Sequence, residues 1–239
     1  MSSHAAGENP DNIACVRAAA EIFIDLSHAI EAGMTTYKGL PAPFVCDYLS
    51  REHSRTLYEP GTEFSIQSVQ MVGNTGTYLD SPFHRYADGA DLSALALKSL
   101  ARLNGIVIHR PFQQELSTDV LHLEREDVRG KAVLIRTGWD RHWRTPVYFE
   151  SHPFLTEAAA RFLAGNGALL VGIDSHNIDD TRGRSRPVHT ALLGAGIPIC
   201  EHMTNLGALP ARGFRFYAVP PRLIGVGSFP VRAFAIVDE

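Results

Sequence analysis

Cysteine is scarce in this chain, and its three copies, Cys15, Cys46 and Cys200, make no CxxC pair. An odd set with that spacing excludes a disulfide frame and reads as free thiols in a reducing cytoplasm. Long apolar runs are missing as well. The longest, such as residues 168–173, are short and strand-like, far below the length of a membrane span. Positive charge is not in excess: 22 Lys and Arg stand against 26 Asp and Glu, a net charge of −4. That balance leaves no electrostatic footprint for nucleic acid. Residues 1–10 are polar, without the charged start and apolar core of a secretory signal. No Gly/Ser/Pro-rich linker interrupts the middle. The chain is therefore read as a tail over residues 1–20, with a short helix over 13–20, followed by one domain over residues 21–239.

What is present is ordinary globular composition, 45% hydrophobic and 20% charged. Strands are expected over residues 21–27, 105–109, 131–136, 168–173, 197–200, 215–219 and 233–237, with a β segment over 62–72. Gly39, Pro41 and Pro43 make residues 37–43 irregular. Thr156-Glu157 opens the clearest helix, with Ala158, Ala159, Phe162 and Leu163 on one face and Gly165 and Gly167 at its end. Shorter helices are expected after Asp91 or Ser93, and over residues 189–193. Strands dominate, so the fold is a mixed α/β domain with a large sheet.

The most informative stretch is Gly73-Asn74-Thr75-Gly76-Thr77-Tyr78-Leu79-Asp80-Ser81-Pro82-Phe83-His84. Four other segments accompany it: Asp25-Leu26-Ser27-His28, Thr137-Gly138-Trp139, Gly172-Ile173-Asp174-Ser175, and His189 with Glu201 twelve positions on and Asn205-Leu206 following. Together they resemble the cyclase family of metal-dependent hydrolases, the kynurenine formamidase and isatin hydrolase group, whose signature is HxGTHxDxPxH. The matches run from about Asp25 to Leu206, most of the chain. Gly76, Thr77, Asp80, Pro82 and His84 fit the signature, whereas Asn74 and Tyr78 stand where the family has two metal-binding histidines. Asn74 offers only a neutral amide oxygen, and Tyr78 would have to ionise from a pKa near 10.

The resemblance implies an α/β fold, a swivelling β/β/α domain with a mixed β-sheet and flanking helices. It also implies a small-molecule substrate and a homo-oligomer, dimer or tetramer. Asp80, His189 and Glu201 retain the set that completes the second site of two-metal members, so they are expected to hold one divalent cation, zinc or manganese. In one-metal members the late pair contacts substrate instead, and that alternative leaves the site metal-free. His84 takes the family's acid/base position. Asn74, Trp139, Tyr37 and Phe44 are the expected substrate contacts, the last three as an aromatic wall.

The leading expectation is a hydrolase of a small amide, formamide or lactam/lactone carbonyl. The alternatives are a metal-independent cyclase or dehydratase and a non-catalytic small-molecule binder. In the cyclase, His84 and Glu201 would be the acid/base pair and Tyr78 an oxyanion donor. Cys200 ends an apolar strand and reads as core packing rather than a nucleophile beside His189. Arg182, Arg184 and Arg186 alternate through a Gly/Ser loop, either facing solvent or receiving a substrate carboxylate.

Overall fold

The β-branched runs of the sequence become the central strands of a nine-stranded sheet. The computed structural model describes residues 20–238, so all of the helix expected over 13–20 but Ala20 lies outside the described residues, as does Cys15. The first strands are β1 (Glu21–Asp25), β2 (Phe44–Leu49), β3 (Ile66–Gln70), β4 (Tyr78–Asp80), β5 (Leu103–His109) and β6 (Ser117–Thr118). They are followed by β7 (Lys131–Arg136), β8 (Phe154–Leu155), β9 (Leu170–Ile173) and β10 (Ile199–Glu201). The last are β11 (Arg212–Tyr217), β12 (Ser228–Pro230) and β13 (Phe234–Asp238), and the helices are α1 (Arg51–Ser54), α2 (Glu157–Gly165) and α3 (Pro187–Gly194). No helix among the described residues is long and apolar enough to cross a membrane.

The sheet order is β1-β13-β11-β5-β7-β9-β10-β4-β12. Its centre, β5-β7-β9-β10, is parallel, and the strands on either side join antiparallel. This is the mixed sheet of an α/β fold, as expected. Ala132 through Ile135 have no exposed surface, because parallel strands are covered on both faces. On one face, Ala159, Ala160 and Leu163 of α2 and Leu192 and Leu193 of α3 pack against Val133, Ile135, Val171 and Ile173. On the other face Leu79, Leu134, Cys200, Phe214 and Phe216 lie under loop residues such as Leu92, Leu206 and Val231.

Local sequence accounts for most of these boundaries. Thr156 caps α2 by accepting a bond from the Ala159 amide at 3.2 Å. The buried face of the helix is Ala159, Ala160 and Leu163, while Ala158 is exposed, so the expected face was turned by one residue. After Asp91 no α-helix forms. The Asp91 carboxylate accepts from the Ser93 and Ala94 amides and closes a turn, and only a 3-10 turn follows at Leu97–Ser99. The expected β segment over 62–72 shrinks to β3, which pairs with β2 in a separate two-stranded ribbon. β2 went unforeseen because all its residues but the half-buried Leu49 are exposed, which leaves no alternation to read.

The signature stretch contains a strand that the sequence reading did not single out: Tyr78–Asp80 is buried and paired with β10 on one side and β12 on the other. Three residues are too few to show a period in sequence. Gly76 takes a tight left-handed path, with φ +64°, and a side chain there would come within 2.7 Å of Ile30.

Candidate active site

Residues two apart on a strand share a face, so β4 presents Tyr78 and Asp80 together and turns Leu79 into the core. The register places Glu201 opposite Tyr78 on β10 and Ser228 opposite Asp80 on β12. The Tyr78 hydroxyl donates to Glu201 Oε2, and the Ile178 amide donates to Oε1 at 2.6 Å. Burial raises the Glu201 carboxyl to about 7, with Asp80 adding to the rise and His189 opposing it. Burial, the neighbouring carboxylates and the bond to Glu201 push the Tyr78 phenol well above its ordinary value, so it is a neutral donor. Its one proton goes to Glu201 and is not offered outward as an oxyanion donor.

His189 enters from the first turn of α3. Asp179, wholly buried, accepts from the Val188 amide at 2.8 Å, the His189 amide at 3.0 Å and His189 Nδ1 at 2.6 Å. One carboxylate therefore caps the helix and fixes the imidazole, directing Nε2 at Asp80 Oδ2, 3.5 Å away, and Glu201 Oε1, 3.7 Å away. Burial works against a charge on His189. The hydrogen bond to Asp179, with Asp80 and Glu201 nearby, outweighs it and raises the pKa to about 10.

Ser228 closes the site. Its hydroxyl donates to Asp80 Oδ1 and therefore accepts from His84 Nδ1 at 2.8 Å, which leaves His84 Nε2 as the free base. Gly227 allows this approach, since a side chain there would meet the His84 backbone at 2.6 Å. Asp179 and Ser228 were both missed in the sequence. An Asp eight residues before a helix-opening Pro187 is a weak capping cue, and Ser228 lies far from every motif.

Among the described residues, the group whose ligand atoms all lie within 4.8 Å of one another is Asp80, His84 and His189. Glu201, expected as the third ligand, stands beside this group with both oxygens already hydrogen-bonded. The site's fit to a divalent cation rests on Asp80. Its Oδ2 is buried without a hydrogen-bond partner and faces His189 Nε2 at 3.5 Å, so a divalent cation taking the place of the His189 proton would meet a free carboxylate lone pair there. One carboxylate and two imidazoles suit zinc or manganese.

A cavity of about 380 Å³ opens over these groups, lined by Tyr37, Asn74, Tyr78, His84 and His189 among others. Two expected wall residues are not there. Phe44 lies on the β2–β3 ribbon with 59% of its surface exposed. Trp139 is buried, its Nε1 donating to the Tyr148 carbonyl at 3.0 Å. The Thr137-Gly138 segment is scaffolding, because its amides and the Thr137 hydroxyl bond Asp174. Cys200 faces the core, where burial pushes its thiol far up and removes it as a nucleophile.

Behind the cavity four histidines pack among aromatic rings. His28 stacks on Trp143 at 4.1 Å, and His176 lies 5.5 Å from His202 and 5.1 Å from His152. Burial lowers all four, His28 to about 4 and His176 to about 3. Such groups bind protons in the unfolded chain and not in the fold. Their contribution to stability is complete above pH 6.5 and is lost as pH falls below it. Asp174 and Glu201, both raised to about 7 mainly by burial, act in the opposite sense over the same range. Four imidazoles against two carboxyls leave a loss of at most about 3 kcal/mol per pH unit. Urea unfolding at pH 7 and pH 5 should show this fall, and His176→Phe should make it shallower. An unchanged slope would remove the cluster as its cause.

This sheet, with an acid-and-imidazole site built around β4, defines a hydrolase-type α/β domain. The chain belongs to the Cyclase family, whose sequence model matches residues 24–180. It is similar to the kynurenine formamidase of Geobacillus thermodenitrificans, 28% identical over 216 residues, covering 88% of this chain and 95% of that protein. Among solved structures it resembles isatin hydrolase A from Labrenzia aggregata, with a TM-score of 0.78, 20% identity, and 92% and 94% of the two chains covered. A potential metal-dependent hydrolase with cyclase activity superposes with a TM-score of 0.75 at 24% identity, over 92% of this chain and 100% of the other. At that identity the two structures speak for the fold.

Proposed function

We propose that the protein is a metal-assisted hydrolase of a small amide, formamide or lactam/lactone carbonyl. One observation carries this reading: the unpartnered Asp80 Oδ2 facing His189 Nε2 beneath the cavity. Asp80, His189 and Glu201 would hold one divalent cation, the remaining lone pairs of Glu201 serving despite its two hydrogen bonds. When bound, such a cation supplies a Lewis acid for the carbonyl or for water. His84 Nε2 takes a proton from the attacking water and returns it to the leaving nitrogen or oxygen as the C–N or C–O bond breaks. Tyr78 and Ile178 hold the Glu201 carboxylate in place, and Tyr37 with Leu40 walls the substrate body. The metal-free cyclase reading, which needs Tyr78 as an oxyanion donor, is disfavoured because the phenol donates to Glu201.

The experiment is metal analysis of the purified protein and turnover of formanilide before and after chelation, repeated on His84→Ala. We expect one cation per chain, and turnover abolished by chelation and restored by zinc or manganese. His84→Ala should keep the cation yet lose about 10²–10⁴-fold in rate. Full turnover in the chelated protein would sink the metal-assisted reading, and loss of the cation in His84→Ala would make His84 a ligand instead.

A homo-oligomer, dimer or tetramer, in a cytoplasmic setting belongs to the same proposal. Unpaired Cys46 and Cys200 support the compartment. The β2–β3 ribbon supports the assembly, because a two-stranded ribbon with Phe44, Tyr48, Ile66 and Val69 all exposed lacks the cover such ribbons need. The cover proposed is a second copy of the chain, since the ribbon continues directly from the Tyr37–Leu40 wall of the cavity. Light scattering should give a multimer for the wild type and a lighter species for Tyr48→Asp/Ile66→Asp. A monomeric wild type refutes the assembly.

A further inference from the structure

Four cationic side chains near the cavity mouth already have carboxylate partners or lie outside it, and two do not. Lys38 pairs with Glu150 at 3.4 Å, Arg182 with Asp180 at 2.7 Å, and Arg161 with Glu157 at 2.6 Å. Arg184 lines only a neighbouring surface groove. Arg186 and Arg85 differ from all of these. Both line the cavity and also the groove beside it, so they stand at the junction of the two.

The hydrogen bonds of this pair end on neutral groups. Arg186 Nη1 donates to the Gly183 carbonyl at 3.0 Å and the Ser185 carbonyl at 2.7 Å, and the residue lines the cavity together with Tyr37. Arg85 Nε donates to Thr190 Oγ1 at 3.3 Å, with its guanidinium over the Tyr86 ring. Among the described residues neither has a carboxylate partner, in a chain whose net charge is −4. Two guanidinium groups without counter-charges, fixed by backbone carbonyls and a ring, form a preorganised anion receptor. Arg186 shares the cavity lining with Tyr37, which places the receptor beside the wall proposed for the substrate body.

We infer that the substrate is an acid: its scissile carbonyl lies over His84 and His189, and a carboxylate elsewhere on the molecule docks on Arg186 and Arg85 at the mouth. This rests on the reading of the cavity as an active site, and it names which members of the amide class enter. A neutral amide would leave the two cations without a partner and gain only the apolar walls. The loop bonds of Arg186 give it a second task in shaping residues 183–186. For that reason the test includes a charge-keeping variant and a second site.

The metal-replete protein is titrated calorimetrically with 2-formamidobenzoate, and with formanilide as its neutral counterpart, in low salt and in about 0.5 M salt. Hydrolysis of both is followed in parallel. The wild type should bind the anion at least about tenfold tighter than the neutral compound, with the preference reduced by salt. Arg186→Gln and Arg85→Gln should each shrink the preference, Arg186→Lys should keep part of it, and the double glutamine variant should abolish it. Equal affinity for the two compounds, binding of neither, or a preference unchanged in the double variant overturns the inference. Hydrolysis of both compounds without preference refutes the acid-selective mouth alone. A preference with hydrolysis of neither refutes the hydrolase reading and leaves the anion receptor standing.

Discussion

Asp80→Asn should lose the bound cation and at least about a thousandfold in turnover, roughly 4 kcal/mol of transition-state stabilisation. The replacement is nearly isosteric and keeps an acceptor for the Ser228 hydroxyl, so β4 should stay paired with β10 and β12. What it removes is the anionic oxygen beside His189 Nε2. The stability readout separates this from general damage. Without metal, Asp80, Asp179 and Glu201 are three buried carboxylates around the one imidazole of His189, and removing one charge eases that crowding. The apo variant should melt at or above the apo wild type. Zinc or manganese should raise the wild-type melting temperature by mass action and leave the variant unmoved. A variant that melts early and still binds the cation would show Asp80 to be a packing residue.

Asp179 carries the second large effect, although it touches no substrate. Removing it in Asp179→Ala strands the His189 side chain and two backbone amides in a buried site, at a cost of about 3–5 kcal/mol. Asp179→Asn is the sharper test. An amide has one acceptor oxygen where the carboxylate has two, so either α3 or His189 must face a donor with a donor. If His189 Nδ1 loses its acceptor, the proton moves to Nε2, the atom aimed at Asp80 and Glu201 that would ligate a cation. We expect a 10–100-fold loss of metal affinity in Asp179→Asn, with about 1–3 kcal/mol off the unfolding free energy. Metal competition titrations and urea unfolding measure the two losses separately. Wild-type values in both would mean that Asp179 neither positions His189 nor holds the helix.

Much of the site was legible because its chemistry is clustered in sequence. Asp80 and His84 lie within five residues, and His189 and Glu201 keep their twelve-residue interval; the structure brings all four beneath one cavity. The other motifs proved to be ties between distant segments rather than chemistry. Thr77 accepts from the His28 amide and donates to the His202 carbonyl, joining the signature, the first motif and the residue after Glu201 at one hydroxyl. Ser228 was illegible for the same reason that it matters, since it reaches Asp80 by lateral strand pairing across 148 positions of chain. Phe44 and Trp139 were misplaced because an aromatic side chain carries no mark of whether it lines a cavity, a core or an exposed ribbon. The strands of the parallel centre were the easiest to find, as burial on both faces makes their sequences continuously apolar. β2 and β4 were the hardest, one exposed on both faces and the other only three residues long.

The placing of β4 between β10 and β12 has a consequence for synthesis. β1 waits in the same way for β13, its only neighbour in the sheet. A nascent chain that has reached residue 205 already contains Asp80, His84, Asp179, His189 and Glu201. It still lacks the edge strand that brings Ser228 against Asp80 and His84. β1 and the β12 side of β4 must therefore remain unpaired while the rest of the chain is translated. A chain stalled before residue 228 would carry nearly every group of the site without the hydroxyl that links Asp80 to His84.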